Sequence, residues 1–192
     1  MDIRSALESE HSKAKTMEIV HHIGNSPKRF GEVVALVTAG EPPFAQRGAW
    51  VISHCAEAEP GAVQPHLKTL LEHLRQSDSL HDAAKRNTMK AASILEIPDD
   101  IAGLAADLAF GYLASPTEPV AVKVYSMSVL HHLAEREPVL ADELRLHLGQ
   151  PVAGSDKPAF RSRARSVLAA LDRGSPCRPG FQPGKDHPDA LG

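Results

Sequence analysis

Histidine recurs in this 192-residue chain where it invites a chemical reading: His21 beside His22, His54 beside Cys55, and His131 beside His132. Imidazole nitrogens ligate transition metals, and a thiol next to an imidazole is the pairing of a cysteine nucleophile. The spacing argues against both. Adjacent residues on a helix point about 100° apart, so His54 and Cys55 diverge, as do the two members of each histidine pair. Metal–nitrogen bonds need about 2.0–2.1 Å, whereas neighbouring packed helices lie about 8–10 Å apart. Histidines on successive helices therefore cannot share one ion without distortion. The sequence contains no His-Glu-x-x-His, no phosphate-cradling glycine loop, no nucleophile elbow and no kinase set. We expect no catalytic residue, no metal ligand and no cofactor. The histidines are expected to pack at the edge of a core, or to make a surface that responds to pH near neutrality.

The elements that must position these residues read as helices. Apolar residues recur at three- and four-residue spacing, and alternating strand-like runs are missing. Proline punctuates the chain at Pro27, Pro42-Pro43, Pro60, Pro98, Pro116, Pro138 and Pro151, stopping one helix or opening the next. Nine helical segments follow, at about 4–24, 28–40, 44–58, 62–76, 82–96, 100–114, 119–136, 139–148 and 159–171. The first unit accordingly has a single long helix. From Asp172 onward glycine and proline recur every few positions with little left to bury, which predicts a solenoid domain over 1–171 and a disordered tail over 172–192 containing Cys177.

Alternate helices repeat. Aligned on Lys13, Gln46, Lys85, Lys123 and Arg161, they are spaced 33, 39, 38 and 38 residues apart. Four positions on stand Met17, Trp50, Met89 and Met127, of which Trp50, Met89 and Met127 are expected to pack in the core; eight positions on stand His21, His54, Ser93 and His131. A period in the high thirties built from helix pairs marks an α-solenoid, where each hairpin buries its face only against its neighbours. On the fourth repeat, Val122, Met127, Val129, Leu130 and Leu133 form one apolar arc with Lys123 in its middle. A charge there needs a partner. Acids stand five residues earlier at Glu8, Glu41, Glu118 and Asp156, and Asp82 stands three before Lys85.

An acid in the turn followed by Pro-Val-x-Val-Lys, clearest at Glu118-Pro119-Val120-Ala121-Val122-Lys123, resembles the HEAT and HEAT-like repeats. The resemblance covers most of 1–171 and implies an all-α, right-handed superhelix of four to five antiparallel hairpins. It also implies a structural ladder between repeats, built here from Glu41, Asp82, Lys85, Glu118, Lys123, Asp156 and Arg161. Gln46 departs from the pattern at the basic position of the second repeat.

Opposite the apolar arcs lies a basic, histidine-rich ridge: Lys15, His21, Arg47, His54, Arg86, Asn87, Lys90, Tyr125, His131 and Arg163, with Glu18 and Glu135 as its acids. The resemblance puts this ridge on the concave side. Such a ridge is either a solvated helix face or a groove for an acidic partner. The reading adopted is a non-enzymatic scaffold that binds a protein or peptide there, with homo-oligomers through the solenoid ends as a further expectation. Two alternatives fit the architecture: a DNA-binding protein similar to the HEAT-like alkylpurine DNA glycosylases, or a chromophore-lyase-like HEAT protein. Composition weighs against nucleic acid, since 21 Lys and Arg face 24 Asp and Glu for a net charge of -3, and aromatics are only 4%. The charged start and the lack of a roughly 20-residue apolar run predict no signal peptide, no membrane span and a cytoplasmic protein. Two cysteines are too few for a disulfide framework.

Overall fold

A computed structural model describes residues 1–76, 80–150 and 154–173. The described residues form eleven α-helices and one 3-10 turn. In chain order these are α1 (Ile3–Ser9), α2 (Lys13–Ile23), α3 (Pro27–Thr38), α4 (Phe44–Ala58), α5 (Pro60–Val63), the turn Gln64–His66, α6 (Leu67–Gln76), α7 (Asp82–Ala92), α8 (Asp99–Ala114), α9 (Val120–Ala134), α10 (Pro138–Leu148) and α11 (Pro158–Arg173).

Local chemistry sets most of these boundaries. Asp2, Ser12 and Ser26 cap α1, α2 and α3 by accepting the backbone N–H three residues on. Proline opens α3, α5, α10 and α11, where a missing N–H costs nothing. Gly24 closes α2 with φ +50°, a backbone setting that disfavours a side chain, and its N–H reaches Val20 O at 3.0 Å.

Three segments differ from the sequence expectation; one is α7, which ends at Ala92, four residues short of the expected 96. The first unit is a hairpin rather than one long helix: Glu10 is extended (φ -157°), and Ser12 then restarts the chain as α2. The fourth expected helix is broken because Pro65 supplies no N–H, so the backbone passes through the 3-10 turn before α6. α11 runs two residues beyond the boundary set by composition. The remainder of the expected tail, Cys177 included, lies outside the described residues.

The helices stack in two rows. The second helices α2, α4, α7, α9 and α11 pack each against the next, while α1, α3, α6 and α8 back them as first helices. α10 completes the fifth hairpin by leaning on α9 as well as α11. One continuous core runs between the rows, from Ile3, Leu7 and Ile23 through Phe30, Ile52 and Leu71 to Met89, Leu113, Met127 and Val167. Burial of each such side chain contributes about 1.5–3 kcal/mol, which is what holds short helices that would not persist alone in water.

α9, contacted by α7, α8, α10 and α11, buries ten of its fifteen residues, Lys123 and His131 among them. α10 buries Leu144 alone and leaves Val139 and Leu146 exposed. α3 and α4 approach closely at Gly48, where a Cβ would stand 2.6 Å from Val37 Cγ2.

Candidate functional site

Charged side chains divide into those that join repeats and those that face solvent. Lys85 on α7 reaches Glu118, in the turn before α9, with Nζ 2.5 Å from Oε1. Their side chains are 16% and 10% exposed, so the pair is largely withdrawn from solvent. Lys85 Nζ also stands 5.9 Å from the centre of the Tyr112 ring. Burial, assisted by the Glu118 charge, pushes the Tyr112 hydroxyl up to about 12. Lys123 lies in the core at 1% exposure and donates from Nζ to the carbonyl of Ser115, the C-cap of α8. Burial lowers its pKa, and Glu118 acts in the opposite direction.

The other expected ladder residues stand elsewhere. Glu41 makes an exposed pair with Arg4 at 3.9 Å, Asp156 an exposed pair with Lys157 at 3.5 Å, and Arg161 is exposed. Asp82 occupies the exposed first turn of α7, where an acid complements the helix dipole. In the second repeat Gln46 is exposed, and its neighbour Arg47 is the residue that bridges repeats. Arg47 Nη1 donates to Leu7 O at 2.6 Å and Glu8 O at 3.0 Å, satisfying carbonyls at the end of α1. Arg136 repeats this device, donating from Nη2 to Ile97 O at 2.7 Å and pairing with Asp99 through Nη1 at 3.1 Å.

Of the ten expected ridge residues, several are committed inside the fold. Arg47 is the bridge just described. Asn87 is buried and donates to Ala83 O within its own helix at 2.8 Å. His131 is 1% exposed and Arg163 8% exposed. The His131 Nδ1 stands 3.5 Å from Glu135 Oε1. Burial holds the pKa of both His131 and His132 below the ordinary value, and the Arg163 charge acts in the same direction on each. These positions correct a ridge drawn from a helical wheel, because a helix packed on several sides has little face left over.

What remains open is a strip centred on α2, α4 and α7. On α2, His21 is exposed and Lys15 pairs with Glu18 at 2.5 Å. Between α4 and α7, Glu57 joins two repeats: Oε1 is 2.7 Å from Lys90 Nζ and Oε2 is 3.4 Å from His54 Nδ1. Burial, followed by the Lys90 charge, lowers the His54 pKa and favours the neutral ring. Arg86 is exposed and has no ion-pair partner among the described residues. Tyr125 on α9 is partly exposed.

Trp50 belongs to this strip rather than to the core, where its place in the repeat predicts it. Met89 and Met127 are fully buried as expected, but Trp50 is only partly so. Its ring centre is 5.1 Å from that of His11 and 6.3 Å from that of His54. Glu57 was also absent from the expected ridge, although its place three residues after His54 is the spacing at which helical side chains meet.

The one cysteine among the described residues is not placed to react as a thiolate. Cys55 is buried and its thiol is pushed up to about 12 by burial, with the Glu59 charge adding to the shift. Among the described residues no cluster of three or more His, Cys, Asp or Glu is placed to hold a metal ion, and no helix is long and apolar enough to cross a membrane.

Stacked helical hairpins joined across repeats by a buried Lys–Glu pair define an all-α solenoid. A family model described as a HEAT repeat domain matches residues 3–171, and the chain belongs to that family. Searches among curated proteins and among solved structures returned no match.

Proposed function

We propose that this protein is a binding scaffold that takes an acidic protein or peptide segment along the open face of its second-helix row. The observation that carries this reading is the arrangement on α4 and α7. One carboxylate, Glu57, is shared between Lys90 and His54, while Arg86 remains exposed, with Asp82 one turn before it on the same helix. Lysine and arginine are thus held at the surface by rigid helices, where focused positive potential steers an acidic partner. Glu18, Glu57 and Glu135 interrupt the cations, a pattern less suited to a continuous phosphate backbone than to a segment of mixed composition. HEAT repeats commonly mediate protein interactions, which supports the same class of partner.

The test is affinity capture with the tagged chain from a lysate of its source organism, with and without nuclease, beside Arg86→Glu/Lys90→Glu. Capture that survives nuclease and is lost in the folded variant supports the reading. Capture abolished by nuclease transfers it to nucleic acid, and capture indifferent to the charge reversal removes this face from the account.

A further inference from the structure

Trp50 is the only tryptophan of the chain and stands partly exposed on the open face of α4. Two imidazoles are set against it at steep angles. His11, exposed just before the cap of α2, is tilted by 57°, and His54, one turn along α4, meets it edge-on at 83°. The three rings form a corner rather than a flat stack. Met17 occupies the same register position on the adjacent α2 and is 40% exposed, an unusual state for a large apolar side chain on a second helix of this protein.

Charge around the corner selects its occupant. Lys13 and Lys90 both bring positive charge to His54, against the single carboxylate of Glu57. A cationic side chain on the Trp50 face would meet these lysines, so cation–π capture is disfavoured here despite the aromatic surface. An uncharged aromatic or branched apolar side chain gains the ring faces without that penalty. Carboxylates flanking it in sequence would fall toward Arg86 and Lys90. A partly exposed tryptophan on a face that also carries an exposed methionine on α2 and an exposed arginine on α7 has the composition of an interface hot spot.

We propose that the corner made by Trp50, His11 and His54 is the anchor site for one aromatic or branched apolar side chain of an acidic peptide. This rests on the reading of the open face as the binding surface and adds the residue that the face selects.

The probe is a displayed library of peptides with Asp or Glu at alternate positions and every residue except Trp at the others, panned on the full chain. Enriched sequences are expected to share Phe, Tyr, Leu or Ile at one fixed position. A selected peptide should change the emission of Trp50 saturably, since no other tryptophan contributes. Alanine at the fixed position should weaken binding by about tenfold or more, the scale of a hot-spot side chain. His11→Ala, at an exposed position, should weaken it severalfold without unfolding the protein and serves beside Trp50→Ala. No enrichment, enrichment without a fixed apolar position, or binding that leaves Trp50 emission unchanged overturns the anchor. If binding is lost in Arg86→Glu/Lys90→Glu yet never perturbs Trp50, the face stands and the anchor falls; indifference to both sets of changes overturns both.

Discussion

Lys85 and Glu118 meet at 2.5 Å across 33 residues of sequence, tying α7 to the turn that opens α9. The contact fixes two things at once: the register of one hairpin on the next, and the direction in which the following turns of α7 point. Arg86 follows Lys85 by one residue and Lys90 by five, so the inward anchor of Lys85 leaves Arg86 exposed and Lys90 at the surface beside Glu57.

Breaking that contact should be costly. Lys85→Met leaves Glu118 largely buried, with its Oε2 already making no hydrogen bond among the described residues. A loss of about 1–3 kcal/mol is expected, the penalty for stranding a buried hydrogen-bonding group. Urea denaturation of the wild type, Lys85→Met, Glu118→Gln and the double variant gives the coupling directly. A coupling indistinguishable from zero would mean that the pair does not join the repeats.

Gly48 gives a second structural prediction. Gly48→Ala places a methyl group 2.6 Å from Val37 Cγ2, so that the buried Val37 side chain must shift, and should cost about 1–3 kcal/mol. Combining it with Val37→Ala should cost less than the two changes added together. Strict additivity would show that α3 and α4 do not touch there as described.

The histidines predict a direction of pH dependence. Burial lowers the pKa of His54, His73, His131 and His132 from the ordinary 6.5. The unfolded chain then binds protons more readily than the folded one, so stability is complete above about pH 6.5 and falls as the pH drops toward the folded-state values. Urea midpoints at pH 7.5, 6.5 and 5.5 should decline, and His131→Phe should flatten the decline. Parallel curves for variant and wild type would remove His131 from the effect.

Cys55 predicts inertness. In a Cys177→Ser background the one remaining thiol, buried and pushed up to about 12, should not react with a disulfide reagent at pH 8 until urea unfolds the chain. Prompt labelling of the folded protein would show that α4 opens readily.

The repeat was legible because burial imposes a period: Met89 and Met127 are both fully buried at equivalent positions. The second repeat was read one residue out. Its alignment chose Gln46, yet Arg47 makes the bridge, and one residue is about 100° of helix. Spacing carries the sign, since Lys85 follows Gln46 by 39 residues but Arg47 by 38, the interval of the two later repeats. The ridge failed most at α9 and α11. A wheel assumes one buried face, whereas α9 is contacted by α7, α8, α10 and α11, which encloses His131 beside the buried Arg163. Helical period alone puts Trp50 in the core and leaves Glu57 off the ridge, because their partners, His11 and Lys90, stand on other segments.

The central claim is which face binds, and photocrosslinking tests it most directly. A photoreactive amino acid replaces Asp82, exposed one turn before Arg86 on α7, in one sample and Asp107, exposed on the first-helix row at α8, in another. Each is irradiated with the captured partner or with a selected acidic peptide. Adducts are predicted from position 82 and none above background from position 107. Adducts from 107 with none from 82 would contradict the claim and move the binding surface to the other row.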